Sequence, residues 1–148
     1  MRTYMTVAAL LGLALLGCDD DDDPNGPDLV TLTATMTGAA EVPGPGDTDG
    51  AGTVEITLDD DTNEVCWEIA VTNLTLPAVA AHIHPGATGV AGPPLVTLTP
   101  PDATGAATGC VDATDEDVDD IIANPGAFYV NVHTSDFTDG AIRGQLTN

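Results

Sequence analysis

Residues 52–71 read GTVEITLDDDTNEVCWEIAV, and this stretch decides the fold. In its first half Val54, Ile56 and Leu58 alternate with Thr53, Glu55 and Thr57; in its second half Val65, Trp67, Ile69 and Val71 line one face. Between them Asp59, Asp60, Asp61, Thr62 and Asn63 form a polar break suited to a hairpin loop. Side chains alternate faces along a strand, so each half is a strand with one apolar face, and the two pair as a hairpin. The same period-two pattern recurs at 31–36, 79–84, 94–98, 107–112, 128–133 and 141–146, giving about eight strands. One segment departs from it. Residues 114–123 read as a short helix, with Thr114 as the cap and carboxylates in the first turn. Val118, Ile121 and Ile122 have helical spacing, and Asn124-Pro125-Gly126 ends the helix. The expected fold is all-β: a single antiparallel Greek-key-like β-sandwich with one helix, spanning residues 29–148. Residues 42–50, rich in Gly and Pro, are a loop within it rather than a linker.

Ahead of that domain lie two segments of different character. Residues 1–17 carry Arg2 and then an apolar run from Val7 to Leu16, the length of a secretory signal's hydrophobic region and too short to span a bilayer. Leu15-Leu16-Gly17-Cys18 resembles the lipobox of bacterial lipoproteins, in which the cysteine becomes the lipid-bearing first residue. An ordinary secretory signal with Cys18 incidental is the alternative. Residues 18–28 then read as a solvated acidic tether, because five adjacent aspartates, Asp19 to Asp23, repel one another and cannot pack. The expected location is therefore the bacterial cell envelope, lipid-anchored and extracytoplasmic, facing the periplasm or the surface. The membrane is reached through the lipid on Cys18.

The 148-residue chain has no lysine and a formal charge of −22. From residue 18 onward Arg143 is the one cation against 24 carboxylates, which leaves −23. Such a surface repels nucleic acid and anionic head groups and attracts cations. Cys66 and Cys110 form an even pair in an oxidising compartment, which points to a disulfide; buried thiols or a thiolate ligand are the alternatives. Arg143, retained in so acidic a chain, is expected to be a structural ion pair, bidentate with Glu41 or Glu68, or else an anion clamp.

The three histidines occur in two phrases, Ala81-His82-Ile83-His84-Pro85-Gly86 and Tyr129-Val130-Asn131-Val132-His133-Thr134. His82 and His84 share a strand face. With His133 arriving from a neighbouring strand, three imidazoles would converge as a candidate metal site for copper or zinc. The competing possibility is structural: the pair holds the following loop by hydrogen bonds and His133 caps a strand end. Asp136 and Asp139 stand near enough in sequence to orient His133. Asp47-Thr48-Asp49-Gly50 resembles the start of a calcium loop but lacks the rest of the pattern. Trp67 and Tyr129 read as core or core-edge residues.

The chain also resembles a known family. Glu41-Val42-Pro43, the two histidine phrases with Gly89 and Gly92, and Gly140-Ala141-Ile142-Arg143-Gly144-Gln145-Leu146 occur in the order found in the CHRD domain, named for chordin. The resemblance spans residues 29–147. Gly44, where the family usually has proline, and Ala141, where it has an acidic residue, depart from the pattern. The resemblance implies the fold; for bacterial members it implies no general activity, and growth-factor binding by animal chordin does not carry over. The His-x-His strand also resembles, more distantly, the copper-ligand strand of Cu,Zn superoxide dismutase. A bridged two-metal dismutase site needs more imidazoles than three, and no Ser-His-Asp order or nucleophile elbow stands out. The expectation is a non-catalytic binding module with a three-histidine site. Its alternatives are an adhesion or protein-interaction scaffold with structural histidines, and a copper-dependent redox enzyme.

Overall fold

The structure, a computed structural model, describes residues 28–148. The expected signal segment 1–17, Cys18 and the tether up to Pro27 lie outside the described residues.

Eight strands follow in chain order: β1 (Leu29–Thr37), β2 (Ala51–Asp59), β3 (Glu64–Thr72), β4 (Ala80–Pro85), β5 (Val96–Leu98), β6 (Ala106–Asp112), β7 (Phe128–His133) and β8 (Ile142–Gln145). One helix, α1 (Asp115–Ala123), lies between β6 and β7. The strands form one continuous antiparallel sheet in the order β5-β4-β7-β8-β1-β2-β3-β6. That sheet curls until its two edges, β5 and β6, meet, so opposite walls face each other as in a sandwich or barrel. The all-β fold with about eight strands and one helix is as the alternation foretold.

The alternating residues fill the inside. Leu32, Ala34 and Met36 from β1, Val54, Ile56 and Leu58 from β2, and Val65, Trp67, Ile69 and Val71 from β3 are all buried. Across from them stand Ile83, Val130, Val132 and Ile142. Burying a side chain of this size contributes roughly 1.5–3 kcal/mol, so the inner face dominates the stability of the domain.

The β2–β3 hairpin closes as its polar loop requires. Asp59 Oδ1 accepts hydrogen bonds from the amides of Asp61 and Thr62 at 3.0 and 3.1 Å. Asn63 takes φ 62°, a left-handed conformation that Asn tolerates better than most residues. In α1, Thr114 Oγ1 caps the Asp117 amide at 3.2 Å, with Asp115, Glu116 and Asp117 in the positive first turn. Val118 and Ile121 are buried, while Ile122 packs only partly against the core.

The outer face of β4, β7 and β8 is different. Wherever the inner face has Ile83, Val130, Val132 and Ile142, the outer face has His82, His84, Tyr129, Asn131 and Arg143. Two loops cover it: residues 86–95, after β4, and residues 38–50, between β1 and β2. Gly92 permits the first to lie close, since a Cβ there would sit 1.7 Å from the Pro85 carbonyl oxygen. Among the described residues, Glu41, His84, Asn131, Thr134 and Arg143 are polar or charged and buried. His84, Asn131 and Arg143 lie under these loops on the outer face, and Glu41 points down onto it from the second loop.

Candidate metal centre

Strand register assembles the site. β4 and β7 pair with Ala80 opposite His133, His82 opposite Asn131 and His84 opposite Tyr129. His133 is therefore the diagonal neighbour of His82 on one face, within reach of a long side chain. The three imidazoles do converge. Ring centroids lie 5.4 Å apart for His82 and His84, 5.2 Å for His82 and His133, and 6.4 Å for His84 and His133. One nitrogen from each can be chosen so that all lie within 4.8 Å of one another.

Hydrogen bonds fix which nitrogens are free. His84 Nδ1 lies 3.0 Å from the Gly92 carbonyl oxygen, and His133 Nδ1 lies 3.0 Å from the Thr138 carbonyl oxygen. A carbonyl accepts only, so both Nδ1 atoms carry the proton and both Nε2 atoms present a lone pair. His133 Nε2 faces His82 Nδ1 at 3.3 Å. His84 Nε2 is buried with no hydrogen-bond partner. A buried unpaired acceptor costs roughly 1–3 kcal/mol, an expense a bound ligand removes. Zn–N bonds of about 2.0–2.1 Å require nitrogens within roughly 4 Å of one another. His82 and His133 meet that spacing, and the three rings together offer nitrogens within 4.8 Å of one another.

Burial holds the His82 imidazole below the usual histidine range, with His133 and His84 adding to the effect. Burial also lowers His84, with His133 adding to the effect and the Gly92 carbonyl, the Pro93 backbone and the nearby Asn131 side chain opposing it; the Asn131 amide lies outside hydrogen-bond geometry to Nε2. Both rings are thus neutral at pH 7, the form that binds metal.

His84 is held from the other side as well. Its ring stacks on Tyr129 with centroids 4.8 Å apart and planes 3° from parallel. The Arg143 guanidinium carbon sits 3.4 Å from the centroid of the Tyr129 ring, a cation–π contact. The three form a stack across β4, β7 and β8. Tyr129 OH accepts from the Gly92 amide at 3.2 Å, fastening the loop whose carbonyl orients His84.

The ion pair expected for Arg143 is replaced by other contacts. Its Nη2 donates to the Ala87 carbonyl at 3.0 Å and to Gln145 Oε1 at 3.4 Å. Glu41 instead accepts from Asn131 Nδ2 at 3.1 and 3.2 Å, and Glu68 is exposed on β3. The reason is geometric: Arg143 lies over Tyr129, and its Nη2 runs along the sheet to the Ala87 carbonyl and the Gln145 side chain. Glu41 feels its charge only at a distance. Burial pushes the Glu41 carboxyl up to about 7, against the Asn131 bond and the Arg143 charge, which lower it. Asp136 bonds Thr75 rather than His133, and the Thr138 carbonyl takes the orienting place foreseen for Asp136 or Asp139.

Cys66 and Cys110 are joined in a disulfide, directly opposite each other on β3 and β6. Their thiols are therefore not available as ligands in this state, nor are they buried free thiols.

Tyr129, Asn131 and Gln145 were not foreseen as site residues. The signal was present in the alternation. Tyr129, Asn131 and His133 occupy one face of β7, and Arg143 and Gln145 one face of β8, with apolar residues or glycine between them. On β7 that polar face is buried rather than exposed at Tyr129 and Asn131, which sets it apart from the solvated polar faces of β1 and β2.

The structure is thus a rolled all-β domain with a polar layer and three converging imidazoles on its outer face. The sequence profile of the CHRD domain matches residues 32–146, and the chain belongs to that family. No curated protein and no solved structure matches the chain.

Proposed function

We propose that the protein is a non-catalytic binding module that holds a transition-metal ion, copper or zinc, on His82, His84 and His133. The observation that carries this is the buried, unpartnered Nε2 of His84. Among the described residues no protein group pairs with this nitrogen, although its ring is held on both sides. Here the Gly92 carbonyl fixes the tautomer, and one nitrogen of each of the three rings lies within 4.8 Å of the others. Carbonyl acceptors behind two of the three rings are the usual support for metal-binding histidines. Three neutral nitrogens suit Cu or Zn, whereas Ca and Mg prefer oxygen. The charge of −22 enriches cations near the surface.

In the metal-free protein His82 Nδ1–H donates to His133 Nε2. To bind a metal ion through Nδ1, His82 would carry its proton on Nε2 instead. We further propose that the domain is lipid-anchored through Cys18 and faces outward from the bacterial envelope. The Leu-Leu-Gly-Cys phrase and the acidic run after it support this.

Equilibrium dialysis of the full chain against Cu(II) or Zn(II) tests the metal site. The expected result is stoichiometric uptake, abolished by His82→Ala with the fold intact. Weak uptake at several places, insensitive to that change, would assign the binding to surface carboxylates. The histidines would then be anchors of the 86–95 loop on a protein-interaction scaffold.

A further inference from the structure

The outer face of β2, β3 and β6, away from the imidazoles, carries the two sulfurs. Cys110 is exposed and Cys66 half-buried, so the bond lies at the barrel surface. The apolar residues of β3, Val65, Trp67 and Ile69, point the opposite way into the core. Seven residue pairs, from Glu64↔Asp112 to Ala70↔Ala106, hold β3 to β6 without help from sulfur. A shallow groove of about 380 Å³ opens beside the bond, walled by Glu55, Glu68 and Thr108.

Glu64 lies two residues before Cys66 on the same strand face. Its Oε1 is 3.3 Å from Cys66 Sγ. A disulfide sulfur has no proton to donate, so this approach is not a hydrogen bond in the oxidised protein. One Glu64 oxygen and both sulfurs lie within 4.8 Å of one another. Two thiolates and a carboxylate are ligands for zinc, with water completing a tetrahedron.

We propose that the Cys66–Cys110 disulfide is a redox latch over a second metal site, in which the reduced cysteines and Glu64 bind a borderline dication such as Zn(II). This does not depend on the imidazole site. A dithiol reductant opens the latch. Its two thiols become a disulfide, the Cys66–Cys110 bond breaks, and two electrons and two protons pass to the cysteine sulfurs. The metal then forms two bonds to sulfur and one to a Glu64 oxygen, and the two thiol protons leave to solvent. Like charges opposite one another in the ladder, Glu55↔Glu68, Asp59↔Glu64 and Glu64↔Asp112, surround the pair. A dication bound to the two sulfurs would offset the repulsion among these carboxylates.

Co(II) is the probe, because only sulfur ligation gives a thiolate-to-cobalt charge-transfer band. The protein is the full chain carrying Cys18→Ser and His82→Ala, which removes the third thiol and the imidazole site. It is reduced with dithiothreitol and desalted without oxygen. The expected result is the band saturating at one equivalent in the reduced protein and absent from the oxidised protein. Cys110→Ser should lose it, and Glu64→Gln should keep it with affinity weakened by at least about tenfold. Circular dichroism monitors the strands throughout. A folded reduced protein with no band would overturn the proposal. So would a band in the oxidised protein, an affinity unchanged by Glu64→Gln, or loss of the strand signal on reduction.

Discussion

Replacing Glu41 by glutamine should stabilise the domain at alkaline pH and leave it nearly unchanged in acid. Glu41 is 5% exposed and points inward from the 38–50 loop, where burial pushes its carboxyl from 4.5 up to about 7. The folded chain therefore holds this proton over a pH range in which the unfolded chain has released it. Between about pH 4.5 and 7 the unfolded state binds fewer protons, so stability falls as pH rises and levels off above 7. At about 1.36 kcal/mol per pH unit, that span sets a ceiling of about 3 kcal/mol. For a domain of this size the ceiling corresponds to roughly 10 °C in Tm. Repulsion among the other carboxylates also grows with pH, so the informative quantity is the difference between the two proteins. Urea unfolding of wild type and Glu41→Gln at pH 5 and pH 8 measures it. Glutamine can still accept from Asn131 Nδ2, and it stays neutral at both values. The gap should open in favour of Glu41→Gln on going from pH 5 to pH 8, by up to about 3 kcal/mol. A gap of constant size, or one favouring wild type at pH 8, would refute the burial argument and mean that Arg143 neutralises the carboxylate after all.

Two further substitutions test the supports of the imidazoles. Arg143→Lys loses the flat stack on Tyr129 and cannot reproduce the bonds to Ala87 and Gln145; it should cost about 2 kcal/mol and lower Tm, and an unchanged melt would remove the structural role of Arg143. Gly92→Ala places a Cβ 1.7 Å from the Pro85 carbonyl oxygen. The loop must shift, at roughly 1–3 kcal/mol by denaturant melt, and the Gly92 carbonyl must leave His84. Copper or zinc affinity should fall with it by about tenfold or more, and wild-type affinity in a shifted loop would show that this carbonyl does not orient the ligand.

The strands were legible because a half-buried strand writes its two faces into alternate residues. Val54-Glu55-Ile56 and Val65-Cys66-Trp67 need no partner to be read. The convergence of His82, His84 and His133 was legible to the same degree: His-x-His fixes two rings on one face, and the third needed only β7 to lie beside β4. What local pattern does not encode is which loop closes over a face. Glu41 reaches Asn131 across 90 positions, and Arg143 reaches Ala87 across 56. The sole cation of the domain was therefore paired on charge with Glu41 or Glu68. The fold gave it an aromatic ring and a carbonyl instead. Likewise Asp136 and Asp139 were near His133 in sequence, but the turn aims the Thr138 carbonyl at the ring.

The tautomers and the shared ligand space are tested together by the histidine side-chain nitrogen spectrum of the full, uniformly ¹⁵N-labelled chain during Zn(II) titration. His84 and His133 should keep protonated Nδ1 atoms throughout, while their Nε2 signals and one nitrogen of His82 move together and saturate at one equivalent. Three rings that respond separately, or only after many equivalents, would mean that the imidazoles do not hold a common ion.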